Sequence, residues 1–338
     1  MTATINPLLS VTDLTVLFER KHSQDALRAV DNVGFNLFPH EILGLVGESG
    51  CGKTTLSRAI MGLTPVDAGS VVLEGTDLTK LTTAQLRKQR VKMQMVFQDP
   101  YASLNPRMTV FDAIAEPLRF HRKIARSDCP REAAGLLENV GLDIKSMRKF
   151  PHEFSGGQRQ RIAIARALAV GPELIIADEP VSALDVSVQA QILNLLSDLR
   201  KDMGLAMLFI SHDLSVVRYI SDRIAVMFRG KIVEIGARDE VFESPLHPYT
   251  QALLSAIPVA DPDHSYSAPL QPAFADQPSQ EFTNGCPYAA RCHFALLECK
   301  GIVPKLEPLP ENGSHKAACI RKHELKLKRN LDCDSGPY

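Results

Sequence analysis

Short apolar runs alternate with longer amphipathic stretches up to about residue 240. EILGLV (Glu41–Val46), ELIIAD (Glu173–Asp178) and AMLFIS (Ala206–Ser211) have the length and β-branched content of buried strands. LSRAIMGL (Leu56–Leu63) and VQAQILNLLSDLRKDM (Val188–Met203) carry their apolar residues at helical spacing. Strand and helix in turn predict an α/β fold with a largely parallel sheet covered by helices. Residues from about 99 to 168 contain no convincing strand and read as a helical insertion. Between Pro258 and Gly285, Pro258, Pro262, Pro269, Pro272 and Pro278 punctuate a polar stretch, which predicts a loop-rich linker into a small C-terminal domain. No internal repeat is visible.

Composition narrows the class only modestly. A chain of 338 residues accommodates one large and one small domain. Its 38 basic and 39 acidic residues nearly cancel, which argues against a general nucleic-acid binder. No apolar run reaches the ~18 residues needed to span a bilayer. The start, MTATINPLLS, has no signal-peptide pattern, so a cytosolic chain is expected.

The chemistry begins at GESGCGKTT (Gly47, Glu48, Ser49, Gly50, Cys51, Gly52, Lys53, Thr54, Thr55), placed between a predicted strand and a predicted helix. Glycines there let backbone amides turn inward on an anion, and the following helix offers its positive end. Lys53 would reach the β- and γ-phosphates of ATP, Thr54 would bind Mg²⁺, and Thr55 would extend the first turn toward the α-phosphate. ELIIADEP ends a predicted strand in two carboxylates. A strand ending in acids is common, but behind a phosphate loop Asp178 suits the Mg²⁺ shell and Glu179 a general base.

FSGGQRQRIAIARAL (Phe154–Leu168) opens a helix with Ser155, Gly156, Gly157 and Gln158. Ser155 is a natural N-cap, whereas two glycines in the first turn weaken a helix and need another reason, such as a bare N-terminus that approaches an anion. Here the chain resembles the ATP-binding cassette (ABC) family, whose signature is LSGGQ, with Phe154 in place of Leu. The resemblance covers nearly all of residues 8–240. It implies a P-loop NTPase with a RecA-like core, an antiparallel β subdomain and a helical subdomain.

The resemblance also assigns roles. Gln98 in MVFQDP matches the Q-loop glutamine, which contacts Mg²⁺ and water. Asp185 in SALD matches the D-loop, and His212 in FISHD matches the switch histidine at the γ-phosphate. Phe18 in LTVLFER matches the aromatic that stacks on adenine, although an aromatic on an early strand is usually core. Two such cassettes bind head to tail, so Ser155 to Gln158 would serve the nucleotide of a partner ATPase.

QDPYASLNPRMTVFDAIAEPL (98–118) and ESPLHPYTQALLSAIP (243–258) resemble the ATPase subunits of oligopeptide and dipeptide importers. That group includes nickel, glutathione and opine systems. The match is nearer the F-type than the D-type subunit. It implies two transmembrane permease subunits, a D-type ATPase partner, an indirect link to a periplasmic solute-binding protein, and a peripheral place on the cytoplasmic face of the bacterial inner membrane. A soluble ABC ATPase of DNA repair or translation is the alternative of another class. Those usually carry two cassettes or a long coiled coil, and this chain has neither. The expected division is 1–243 for the cassette and 244–338 for the C-terminal domain.

Of seven cysteines, five crowd the last 53 residues. Cys286, Cys292, Cys299 and Cys319 lack the C-x2-C knuckle usual for zinc. The resemblance implies a [4Fe–4S] cluster; zinc and unmetallated thiols stay open. Cys333 falls outside the pattern. Distance in sequence from every phosphate motif suggests no direct part in hydrolysis. The basic run Arg321–Arg329 reads as a solvated helix or tail, with a weak attraction to anionic lipid.

Overall fold

The structure, a computed structural model, describes residues 6–19, 26–257, 285–309, 312–325 and 327. The proline-rich stretch 258–284 and Cys333 lie outside the described residues.

The main sheet runs in the order Glu307–Leu309, Asn312–Ala317, Lys231–Ala237, Arg223–Phe228, Ile42–Val46, Ala206–Ser211, Leu174–Asp178 and Met93–Val96. Its five strands from Arg223–Phe228 to Met93–Val96 pair in parallel, and the three on the other side pair antiparallel. Ile42–Val46, Leu174–Asp178 and Ala206–Ser211 are buried at every position, as expected of parallel strands covered on both faces. Side chains alternate across the sheet. Ile42 and Val46 enter a core shared with the helices, whereas Leu43 and Leu45 enter a second core beneath an antiparallel sheet. That sheet has the order Leu27–Leu37, Leu9–Phe18, Ala68–Leu73, Thr76–Asp77.

The helical section is as the pattern predicts. Pro100–Ser103, Val110–His121, Cys129–Asn139 and Gly156–Leu168 fill it with no strand among its described residues. Their apolar faces (Ile114, Leu118, Leu137, Ile162) join the helix-side core. The helix after the phosphate loop begins at Lys53, three residues earlier than the apolar pattern indicates. The loop's own polar residues form its first turn.

The described C-terminal residues join the main sheet and the helix-side core. The strand Asn312–Ala317 pairs with Lys231–Ala237, which extends the main sheet. Tyr288 and Cys292 sit in the helix-side core with Tyr249 and Leu254. The fully buried Glu234 carboxylate locks this join. It accepts from the backbone N–H of Leu246 (2.8 Å) and His247 (2.9 Å) and lies 2.8 Å from Nε2 of His315. The start of the basic run is also tied down, contrary to the solvated reading. Arg321 donates to the Phe294 carbonyl at 2.9 Å, and the buried Lys322 lies 3.2 Å from Glu307.

Candidate active site

The phosphate loop leaves the sheet where Ile42–Val46 ends. Its crest is exposed at Ser49 and Gly50. Gly50 has φ +80° with open space around it, so conformation alone demands glycine there. Gly52, at φ +111°, also needs closeness: a Cβ would stand 2.2 Å from the Ala29 carbonyl oxygen. Lys53 is buried, and its ammonium donates to the carbonyls of Gly47 (2.7 Å) and Glu48 (3.1 Å). The Cys51 sulfur lies 3.8 Å from the same ammonium. The loop thus holds its lysine under the crest, where a phosphate would sit.

Thr54 donates its hydroxyl to Oδ1 of Asp178 at 3.3 Å, so the two residues expected at Mg²⁺ already face each other. Burial pushes the Asp178 carboxyl up, and the neighbouring Glu179 charge adds to that. A bound cation would reverse it. Glu179 adopts φ +49°, rare for a residue with a side chain. Its carboxylate meets two other motifs. Gln98 donates Nε2 to Glu179 Oε2 at 3.2 Å, and His212 Nδ1 lies 3.2 Å from the same oxygen. Three separate sequence motifs therefore meet at one carboxylate.

The remaining expected residues lie apart from this centre. Ser155 caps the helix Gly156–Leu168, and Gln158 returns its side chain to the Ser155 amide at 3.1 Å, a capping box. Ser155, Gly156 and Gln158 are exposed. Gly157 has a packing reason that its sequence did not disclose: a Cβ there would stand 2.2 Å from Cγ1 of Val188. Asp185 caps the next helix, accepting from the Val188 amide at 2.9 Å. Phe18 is 44% exposed at its strand end and is not a core aromatic. Thr55 is half-buried in the first helical turn.

Glu48 has partners that sequence reasoning missed. Its backbone N–H donates to the Tyr249 hydroxyl at 3.0 Å, and its carboxylate is held by Arg291. Both partners lie in stretches already singled out, HPYT and CPYAARC. Nothing in one dimension pairs them with a loop 201 and 243 residues away.

The cysteine cluster gives the metal expectation little support. Cys286, Cys292, Cys299 and Cys319 line one apolar cavity of about 20 Å³. That is room for about one water-sized body, so a cubane would require the thiols to move apart. Among the described residues no three ligating side chains are grouped as a metal site. Burial pushes the Cys286 thiol up to about 11 and that of Cys292 up to about 12, and the other cysteines add to this. The iron–sulfur or zinc expectation is not carried by this arrangement.

Comparison with known proteins identifies the family. A family model described as ABC transporter matches residues 30–182, and one described as oligopeptide/dipeptide transporter, C-terminal region, matches residues 233–299. The oligopeptide transport ATP-binding protein OppF of Salmonella typhimurium is 48% identical over 329 residues, covering 94% of this chain and 97% of that protein. OppF of Escherichia coli is 47% identical over the same shares. The solved dimer of the cassette MJ0796 in a post-hydrolysis state, bound to ADP and Pi, covers 68% of this chain and 98% of its own at TM-score 0.62 and 29% identity. The chain therefore belongs to the ABC transporter family, as an ATPase of its oligopeptide/dipeptide group.

Proposed function

We propose that this chain is the ATP-hydrolysing subunit of a bacterial importer of peptides or similar polar solutes. The observation that carries the mechanism is the meeting of Gln98 and His212 on Oε2 of Glu179, beside the Thr54–Asp178 pair. Lys53 would turn from the loop carbonyls to the β- and γ-phosphates, while the loop amides hold the remaining oxygens. Thr54, Asp178 and Gln98 would hold Mg²⁺, which neutralises phosphate charge when bound. Glu179 is the base that takes the proton of the attacking water. With Oε2 engaged by Gln98 and His212, Oε1 is the oxygen suited to that water. His212 also senses the γ-phosphate.

Phe18 supplies the adenine face. Ser155 to Gln158 and Asp185 act across a head-to-tail pair, on the nucleotide of a D-type ATPase. The exposure of Ser155, Gly156 and Gln158 at the capped helix end supports that reading, because it leaves them open to a partner's nucleotide. Residues 1–243 form the nucleotide-binding unit, with a helical subdomain at about 99–168, and 244–338 form the C-terminal region. Two permease subunits and, indirectly, a periplasmic binding protein complete the importer, with this chain on the cytoplasmic membrane face. No helix among the described residues is long and apolar enough to cross a membrane. The names of the OppF relatives favour peptides over nickel, glutathione or opines. The matching C-terminal region weighs against a soluble ABC ATPase of DNA repair or translation.

The finer cofactor reading is a thiolate-held centre, [4Fe–4S] or zinc, at the cysteine cavity. Convergence of four thiols supports it, and the size of the cavity does not.

The test is reconstitution with the permease subunits and partner ATPase. ATP-dependent uptake of labelled oligopeptide, lost with Glu179→Gln, is the expected result. Uptake of nickel but not peptide would reassign the solute.

A further inference from the structure

Arg291 belongs to none of the motifs of hydrolysis, yet it grips the phosphate loop. Nη1 donates to Oε2 of Glu48 at 2.9 Å and Nη2 to Oε1 at 2.7 Å, a paired geometry open to arginine and not to lysine. The guanidinium also lies 5.7 Å from the ring centroids of Phe228 and Tyr288, which fixes it from below. Phe228, Tyr249 and Tyr288 pack together with centroids 4.6 to 5.3 Å apart. Phe228 ends the strand that pairs in parallel with Ile42–Val46, the strand leading into the loop. The support under Arg291 is therefore continuous with the sheet that carries the site.

Glu48 is held at three groups. Its amide donates to Tyr249, its carbonyl accepts from Lys53, and its carboxylate is forked by Arg291. On the far side of the crest the Gly230 amide donates to the Cys51 carbonyl at 2.8 Å. Between these two anchors the exposed crest has no packing at Gly50. A loop that must present its amides to an anion loses affinity when it has to be ordered at the moment of binding.

We propose that Arg291 is a positioning residue for the phosphate loop, holding Glu48 through paired hydrogen bonds so that the crest is preorganised for the polyphosphate of ATP. The proposal rests on the reading of residues 47–55 as the nucleotide cradle. It also gives the C-terminal region a direct mechanical link to that cradle. Arg291 lies in the short turn between Tyr288 and Cys292, both of which line the cysteine cavity.

The pair is half-exposed, so it adds little to global stability. Its loss should be read in nucleotide affinity. Full-length protein is titrated with trinitrophenyl-ATP in four forms besides wild type: Arg291→Ala, Glu48→Gln, both together, and Lys53→Ala. Arg291→Ala and Glu48→Gln should each raise Kd by about 3- to 10-fold. The double variant should be no weaker than the worse single one, because each removes the same interaction. In the assembled transporter KM for ATP should rise with kcat nearly unchanged. Arg291→Lys should recover only part of the affinity.

Unchanged affinity in Arg291→Ala would overturn the proposal. So would an equal loss from Arg291→Ala in the Glu48→Gln background, since Arg291 would then act through its aromatic packing. Glu48→Gln preserves volume, so it tests the pair even if the arginine variant fails to fold. Lys53→Ala separates the two levels. Lost binding there with unaffected Arg291→Ala would sink the positioning role alone, and retained binding would sink the cradle reading and the proposal together.

Discussion

Gln98 donates its side-chain amide to Oε2 of Glu179 across 81 residues of chain, at 3.2 Å. One residue follows the edge strand Met93–Val96 at the mouth of the helical section, and the other directly follows the neighbouring strand Leu174–Asp178. Any movement of the helical section would therefore reach the carboxylate through one hydrogen bond.

Glu179→Gln should abolish turnover while ATP still binds. The amide keeps the size of the side chain and can still meet Gln98 and His212, but it cannot take a proton. General-base removal typically costs 10²- to 10⁴-fold, so phosphate release by the reconstituted transporter should fall by about 10³-fold. Release near the wild-type rate would assign the base elsewhere.

Ser155→Arg and Lys53→Ala should damage different nucleotides. The serine caps an exposed helix end, and in the head-to-tail reading it serves the partner's nucleotide, so its substitution should impair the site built on the partner's P-loop. Lys53→Ala should weaken binding at this chain's own site. Photo-crosslinking of labelled ATP to each subunit distinguishes them. Loss of label from this chain alone in Ser155→Arg would contradict head-to-tail pairing.

Gly157→Ala should destabilise the fold through a single neighbour. The added methyl would stand 2.2 Å from Cγ1 of Val188, an overpacked contact worth about 1–3 kcal/mol. Val188→Ala should restore most of that loss in the double variant. Thermal melts of the single and double variants decide it, and no rescue would mean that the glycine serves backbone conformation instead.

Metal analysis settles the cysteine cavity. If it holds a cluster, anaerobically purified protein should be brown, with absorbance near ~400 nm, and Cys292→Ser should bleach it while ATP still binds. Colourless protein with stoichiometric zinc would make it a zinc site. Protein free of both would leave four unmetallated thiols around an apolar cavity.

The sequence alone determined the local parts. Apolar runs marked the central strands because strands buried on both faces need no alternation, and Ser155 marked a helix start because a cap acts within three residues. The glycine-rich loop was legible for the same reason, since a backbone that must bend around an anion requires glycine at particular positions. Tertiary structure alone decided what meets what. Glu179 meets Gln98 and His212 from two other segments, Gly157 is glycine because of Val188, and Glu48 is gripped by Tyr249 and Arg291 from a distant segment. The pairing of the C-terminal strand Asn312–Ala317 with Lys231–Ala237 is likewise absent from any local pattern. Each of these contacts joins residues far apart in the chain, and neither periodicity nor propensity records what folding brings to the other side of a contact.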